Sequence, residues 1–141
     1  PYTTAQVEAD LKGAKEDLMG FRDRNNKPFN RGAKLVAYVP THLVDHFETL
    51  RNSRQIYISG TKDNVLYQTF DIIVNYDQDT TSDDWYLFNV NAPVQAFIFQ
   101  TREQPTWKVK DEEDKRNIKY FSVSRSAAGY GNPMACIKID N

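Results

Sequence analysis

Phe97-Ile98-Phe99-Gln100-Thr101-Arg102-Glu103-Gln104-Pro105, with Trp85-Tyr86-Leu87-Phe88 before it and Tyr120-Phe121-Ser122-Val123-Ser124-Arg125 after it, decides how this chain is read. The stretch from Trp85 to Pro133 is dense in aromatic and β-branched residues, which suit a pleated surface. It predicts strands at Trp85–Val90, Val94–Gln100, Trp107–Lys110 and Lys119–Arg125, with another at Met134–Ile139. Lys110 to Asn117 is almost wholly charged and predicts a solvated loop or hairpin tip. Gly129-Tyr130-Gly131, followed by Pro133, predicts a turn at positive φ between two strands. The stretch holds no catalytic group set, so it reads as a building block.

Upstream the texture is helical. Thr3 and Gln6 fit a capping box, and Val7, Leu11, Ala14, Leu18 and Phe21 form one apolar stripe, predicting a helix over residues 3 to 24. Gly13 and Gly20 each weaken it, a cost that close packing against a neighbour would offset. Asn25-Asn26 supply a left-handed cap and Pro28 forbids continuation. Leu35–Val39 predicts a buried strand ended by Pro40, and Thr41 to Arg51 a second helix with Leu43, Val44, Phe47 and Leu50 on one face. Gln55 to Ser59 predicts a weakly paired strand, Gly60 to Asn64 a turn, and Tyr67 to Asn75 a strand with Phe70, Ile72 and Val74 opposite Ile73. This order suits an α+β domain.

The chain has 141 residues, enough for one domain or one domain with a small lobe, and its size requires no disulfide or metal staple. A net charge of −1 argues against duplex nucleic acid or an anionic membrane as a general partner. The single cysteine, Cys136, excludes an intrachain disulfide. No apolar run is long enough to span a bilayer. The first residue is Pro1 rather than Met, which points to a processed product, a fragment or a trimmed chain.

Four features invite chemistry. His42 and His46 stand at i,i+4 in His42-Leu43-Val44-Asp45-His46, a spacing that can point two imidazoles at one metal. The string approaches His-x-x-Glu-His, so a small metal-dependent hydrolase is the enzymatic alternative. The acid is the shorter Asp, no third His exists, and the core face through Leu43, Phe47 and Leu50 turns both rings to the flank. Asp77, Asp79, Asp83 and Asp84 begin like a calcium loop, but Ser82 and Phe88 stand where Gly and Glu are needed. Cys136 lies in an apolar strand and reads as a buried structural thiol. Gly129-Tyr130-Gly131 lacks the Lys-Ser/Thr and the helix of a phosphate loop. The reading is therefore no enzyme, with no catalytic, cofactor-binding or metal residues, no cofactor, no specific nucleic-acid site and no membrane partner.

The order of these motifs resembles the C-terminal half of the major head (capsid) subunit of Mu-like prophages, within the tailed-phage capsid fold named after the Hong Kong phage. The likeness runs from the helix Val7–Phe21 through Lys34-Leu35-Val36-Ala37-Tyr38-Val39-Pro40 and Phe70–Asn75. It is closest in Trp85–Phe88, in Phe97 to Pro105, and in Arg125 followed by Gly129-Tyr130-Gly131-Asn132-Pro133. The resemblance implies a phage major capsid type of α+β fold, an axial-domain sheet flanked by helices plus peripheral-domain strands. Residues 1–92 and 133–141 would be axial (A) domain and 93–132 peripheral (P) domain strands. The family's N-terminal arm, extended loop and spine helix have no counterpart here, which implies a fragment. It further implies a structural virion protein that self-assembles into an icosahedral shell in the bacterial host cytoplasm. Its partners would be copies of itself in capsomers and scaffold or other head proteins. Another head-associated structural protein is the remaining alternative. Tyr57, Tyr67, Tyr76, Trp107 and Tyr130 are the candidate contact residues.

Overall fold

The computed structural model describes residues 2–57, 61–78, 82–112 and 117–140. The chain divides into two compact units, Pro1–Ala96 with Asn132–Asn141, and Phe97–Gly131. The architecture is α+β.

In the first unit, α1 (Thr4–Gly20) starts at the expected capping box, with Thr3 and Gln6 bonding each other's backbone N–H. Its stripe of Val7, Leu11, Ala14 and Leu18 is buried. The helix stops at Gly20 rather than at residue 24, because Phe21 turns to extended backbone and Arg22 bridges to Pro28. Asn26 does adopt a left-handed φ of 60°, but within the turn between those bridge partners, not as the helix cap. A Cβ on Gly13 or Gly20 would meet nothing within 4 Å, so neither glycine marks the close packing expected of it.

A four-stranded mixed sheet carries the core. β1 (Leu35–Pro40) leads through a 3-10 turn, Thr41–Leu43, into α2 (Val44–Asn52). A short hairpin of β2 (Gln55–Tyr57) and β3 (Thr61–Asp63) follows. The turn predicted at Gly60–Asn64 is instead strand over Thr61–Asp63, paired with β2, and Gly60 lies outside the described residues. Then come β4 (Phe70–Asn75), β5 (Trp85–Asn89) and, last in the chain, β8 (Cys136–Ile139). The order is β4-β1-β5-β8, with β1 parallel to β4 and antiparallel to β5. The strand expected from Tyr67 begins only at Phe70, because residues 65–68 form a turn ahead of β4, with Gln68 at a φ of 53°.

Period-two alternation divides the sheet's faces. Leu35, Ala37, Val39, Phe70, Trp85 and Leu87 are buried on one face with the stripes of α1 and α2. Phe47 of α2 sits edge-on to Trp85 at 4.9 Å and to Phe70 at 6.3 Å between ring centroids. The Trp85 indole N–H is buried and has no hydrogen-bond partner among the described residues, so its place is set by ring packing. The opposite face carries Tyr38, Tyr86 and Phe88, half-buried, with Tyr86 and Phe88 stacked at 6.2 Å.

Three buried asparagines, Asn30, Asn64 and Asn89, close the unit. The Asn30 amide donates to the carbonyls of Leu18 (2.6 Å) and Met134 (2.8 Å), while its Oδ1 accepts from the Asn89 amide at 2.8 Å. Asn64 caps α2 by donating to the carbonyls of Leu50 and Ser53, and its Oδ1 accepts from the Leu66 N–H. No helix among the described residues is long and apolar enough to cross a membrane.

The second unit is one antiparallel ribbon of β6 (Phe97–Glu112) and β7 (Asn117–Tyr130). The separate short strands expected at Val94–Gln100, Trp107–Lys110 and Lys119–Arg125 are parts of these two long ones, and residues 94–96 are not strand. Register shifts between Thr101 and Glu103 and between Glu103 and Thr106 let β6 pass Pro105 without ending. Gly129-Tyr130 is strand, paired with Ile98 and Phe97, not a turn. Gly32 is the only glycine at positive φ among the described residues. Ladder pairing runs to Glu112↔Asn117, so Lys110–Glu112 and Asn117 of the predicted charged loop are strand, and the other half, 113–116, lies outside the described residues.

Three outcomes follow from this core. Phe47→Ala removes a fully buried ring between two aromatic partners and is expected to destabilise by about 3–5 kcal/mol, read as a fall in the urea midpoint. Asn30→Ala leaves two carbonyls and the Asn89 amide unpaired, at about 1–3 kcal/mol for each group that water cannot reach. Asn30→Asp should also lose stability at neutral pH, because an ionised carboxylate cannot donate to two carbonyls. Burial beside them raises its folded pKa above the unfolded value, so the variant should recover on acidification; an unchanged midpoint from neutral to mildly acid pH would contradict this.

Candidate functional site

The residues singled out for chemistry do not converge. His42 Nε2 pairs with Asp83 Oδ1 at 2.8 Å, and His46 Nδ1 meets the Thr4 hydroxyl at 2.8 Å. Each imidazole thus has its own partner, one in the acidic loop and one at the start of α1. Among the described residues no three His, Cys, Asp or Glu side chains cluster as a metal site.

The acidic loop is tied to its surroundings rather than gathered round a centre. Asp83 holds His42, Asp84 pairs with Lys138 at 3.0 Å, and the Asp77 N–H donates to the Asn75 side chain. Asp79 lies outside the described residues. Hydrogen bonds to Asp140 and then to Asp84 hold the Lys138 ammonium well above the usual lysine range. Cys136 is half-buried, less than the fully buried thiol expected, and burial pushes the thiol up, away from the thiolate a nucleophile needs.

What the structure does gather is apolar surface on the ribbon. Residues opposite one another in a ladder share a face, and alternate residues change face. Phe97↔Tyr130, Phe99↔Ala128 and Thr101↔Ser126 lie on one face, joined beyond the bulges by Trp107↔Ser122 and Val109↔Tyr120. That face reaches the Asp111↔Ile118 pair, and its paired residues between Phe97 and Val109 carry no charge. The opposite face carries Glu103, Arg125, Lys108, Lys110 and Lys119 beside Ile98 and Phe121. Glu103 and Arg125 pair there at 3.7 Å. The ribbon is amphipathic, and its apolar face is solvent-facing: Trp107 is 80% exposed, Tyr120 70% and Tyr130 91%.

Of the candidate contact residues, Trp107 and Tyr130 fall on this apolar face and Tyr76 is exposed in the first unit. Tyr67 is half-buried beneath the Arg54 guanidinium at 5.5 Å, an intrachain contact. The Tyr57 side chain lies outside the described residues. Val109, Ile118 and Tyr120 were missed. Their signal was the alternation in Trp107-Lys108-Val109-Lys110 and Ile118-Lys119-Tyr120, apolar and lysine by turns.

No family model matches the chain, and no curated protein matches it significantly. Among solved structures, the crystal structure of a virus-like particle from Pyrococcus furiosus is similar, with a TM-score of 0.56 at 14% sequence identity. The similarity covers 99% of this chain and 52% of that one, so the chain spans about half of that neighbour's length. At this identity the likeness is one of fold: the α+β arrangement described above is shared with a chain of that particle.

Proposed function

We propose that this chain is a structural subunit of a particle shell, built to associate with copies of itself and not to catalyse a reaction. One observation carries the proposal: the fold is shared over 99% of the chain with that of a virus-like particle. The finer assignment, a major head subunit of the Mu-like prophage type, rests on the sequence resemblance through Trp85–Phe88, Phe97 to Pro105 and Gly129 to Pro133. So does the division into an axial domain (1–92 and 133–141) and peripheral strands (93–132). In this reading the partners are copies of the chain in rings, with scaffold or other head proteins. The place of action is the virion, assembled in the bacterial host cytoplasm.

The physical case is consistent with assembly. A ring or shell needs heterologous contacts, in which one surface of a copy meets a different surface of the next. Such contacts favour aromatic and arginine anchors on rigid elements, and bury ~1,200 Å² or more.

Electron microscopy of the full-length subunit, expressed with its assembly partners, is expected to show closed shells. Amorphous or small discrete species across all assembly conditions would count against the proposal, and a copy number of a few per particle would favour a head-associated accessory protein. Calorimetric titration with zinc is expected to show no micromolar binding at His42 and His46. Stoichiometric binding lost in His42→Ala and His46→Ala would favour a metallohydrolase instead.

A further inference from the structure

We infer that the ribbon is an independently opening element: β6 and β7 part from each other while the first unit stays folded, because a clasp of hydrogen bonds closes that unit between residues 95 and 132. The opening is a property of the 141-residue chain and does not depend on the shell reading.

Burial is distributed unevenly between the two units. Among the described residues, every member of the hydrophobic core, and every apolar side chain packed against it, comes from outside residues 97–131. No described residue of β6 or β7 is buried, and only Glu103 and Val123 are half-buried. An isolated two-stranded ribbon is marginally stable at best, because its ladder must offset the entropy of ordering both strands with little burial to help. The Phe97–Tyr130 ring pair, at 5.8 Å between centroids, supports the ribbon only at its base. The Glu103–Arg125 ion pair farther along is solvent-accessible and contributes little.

Opening of such a ribbon would release β8 as well if nothing fixed the returning chain. The structure fixes it at once. The Asn132 N–H donates to the Gln95 carbonyl at 3.0 Å, and the Gln95 amide donates to the Val90 carbonyl at 2.9 Å. Asn132 Oδ1 accepts from the Met134 N–H at 2.9 Å and so caps the 3-10 turn Pro133–Ala135. The Met134 carbonyl is held by the buried Asn30 amide, Ala135 is fully buried, and Cys136 begins the pairing with β5. All of these groups lie outside β6 and β7, so parting the two strands breaks none of these bonds. The opened ribbon is then a loop whose ends are already joined, and the entropy of such a loop varies only slowly with its length. Opening therefore gains chain entropy without detaching β8.

Hydrogen exchange of the 141-residue chain under native conditions reads both units amide by amide. Ladder amides of β6 and β7 are expected to exchange on the order of 100-fold or more faster than the slowest amides of β1 and β5. Equal rates in the two sets would make the chain one cooperative unit and overturn the inference. Successive N–H groups of a strand point to opposite edges, so Phe121→Pro with Ser122→Pro removes a donor from the ladder and should abolish protection in the ribbon. With Trp107→Phe added, emission of the fully buried Trp85 reports the first unit alone. Its urea midpoint and the protection of β8 are expected to be unchanged by the two prolines, and a fall in either overturns the inference. Gln95→Ala with Asn132→Ala loosens the clasp, and β8 amides should then lose protection on the order of 10-fold relative to β1. Unchanged β8 protection in that variant would overturn the clasp as the cause of the independence.

Discussion

The Asn30 carboxamide ties three segments that are remote in sequence: the end of α1 through Leu18, strand β5 through Asn89, and the returning chain through Met134. The first unit is discontinuous, since residues 97–131 leave it and 132–141 re-enter to add β8 at a sheet edge. The crossing is closed by the Asn132 N–H on the Gln95 carbonyl at 3.0 Å, with Gln95 itself bonded to the Val90 carbonyl. An amide is suited to this junction because it donates twice and accepts once in a site water does not reach. A carboxylate or an aliphatic side chain would leave carbonyls stranded. The placement of β8, and with it the burial of Trp85 opposite Ile139, depends on those three hydrogen bonds.

How much of this was legible in the sequence follows from which interactions are local. The α1 stripe, its capping box, β1, α2 and the alternation in β4 and β5 depend on spacing, so they were readable. The ribbon was not, for two separate reasons. Pro105 reads as a strand breaker, but two register shifts leave its missing N–H outside the ladder. Gly129 reads as a turn, yet in β7 it faces Ile98 as ordinary extended backbone. The asparagines were illegible because their partners, Leu18 and Met134 among them, come together only in the finished fold. The candidate contact residues divided the same way: Trp107 and Tyr130 are exposed, whereas Tyr67 is engaged by Arg54.

The two units solve the burial problem differently. In the first, helices cover one face of the sheet, and the aromatic residues of the other face, Tyr38, Tyr86 and Phe88, pack among themselves and remain half-buried. In the second, both strands are spent on pairing with each other, and alternation alone separates apolar from basic side chains. A ladder satisfies the backbone but buries little side chain, so the ribbon's apolar content contributes little to its own folding. Singly exposed apolar residues are ordinary on a folded surface, whereas here they are contiguous along one face.

The ribbon's edges sharpen the point. An exposed strand edge offers unpaired N–H and C=O groups to any other strand, and uncontrolled pairing there leads to aggregation. In β6 the bulges around Arg102 and between Glu103 and Thr106 break the edge's hydrogen-bonding rhythm, and Pro105 removes a donor from its middle. Strand addition along β6 is therefore interrupted, while the apolar face continues on both sides of the break through Phe99 and Trp107. Interrupting the β6 edge while keeping the face favours, along that strand, association through side chains over association through backbone. Side-chain contact is selective in shape and charge, whereas backbone pairing is nearly indifferent to sequence. For a chain proposed to meet many copies of itself at high local concentration, that difference separates a closed shell from a precipitate.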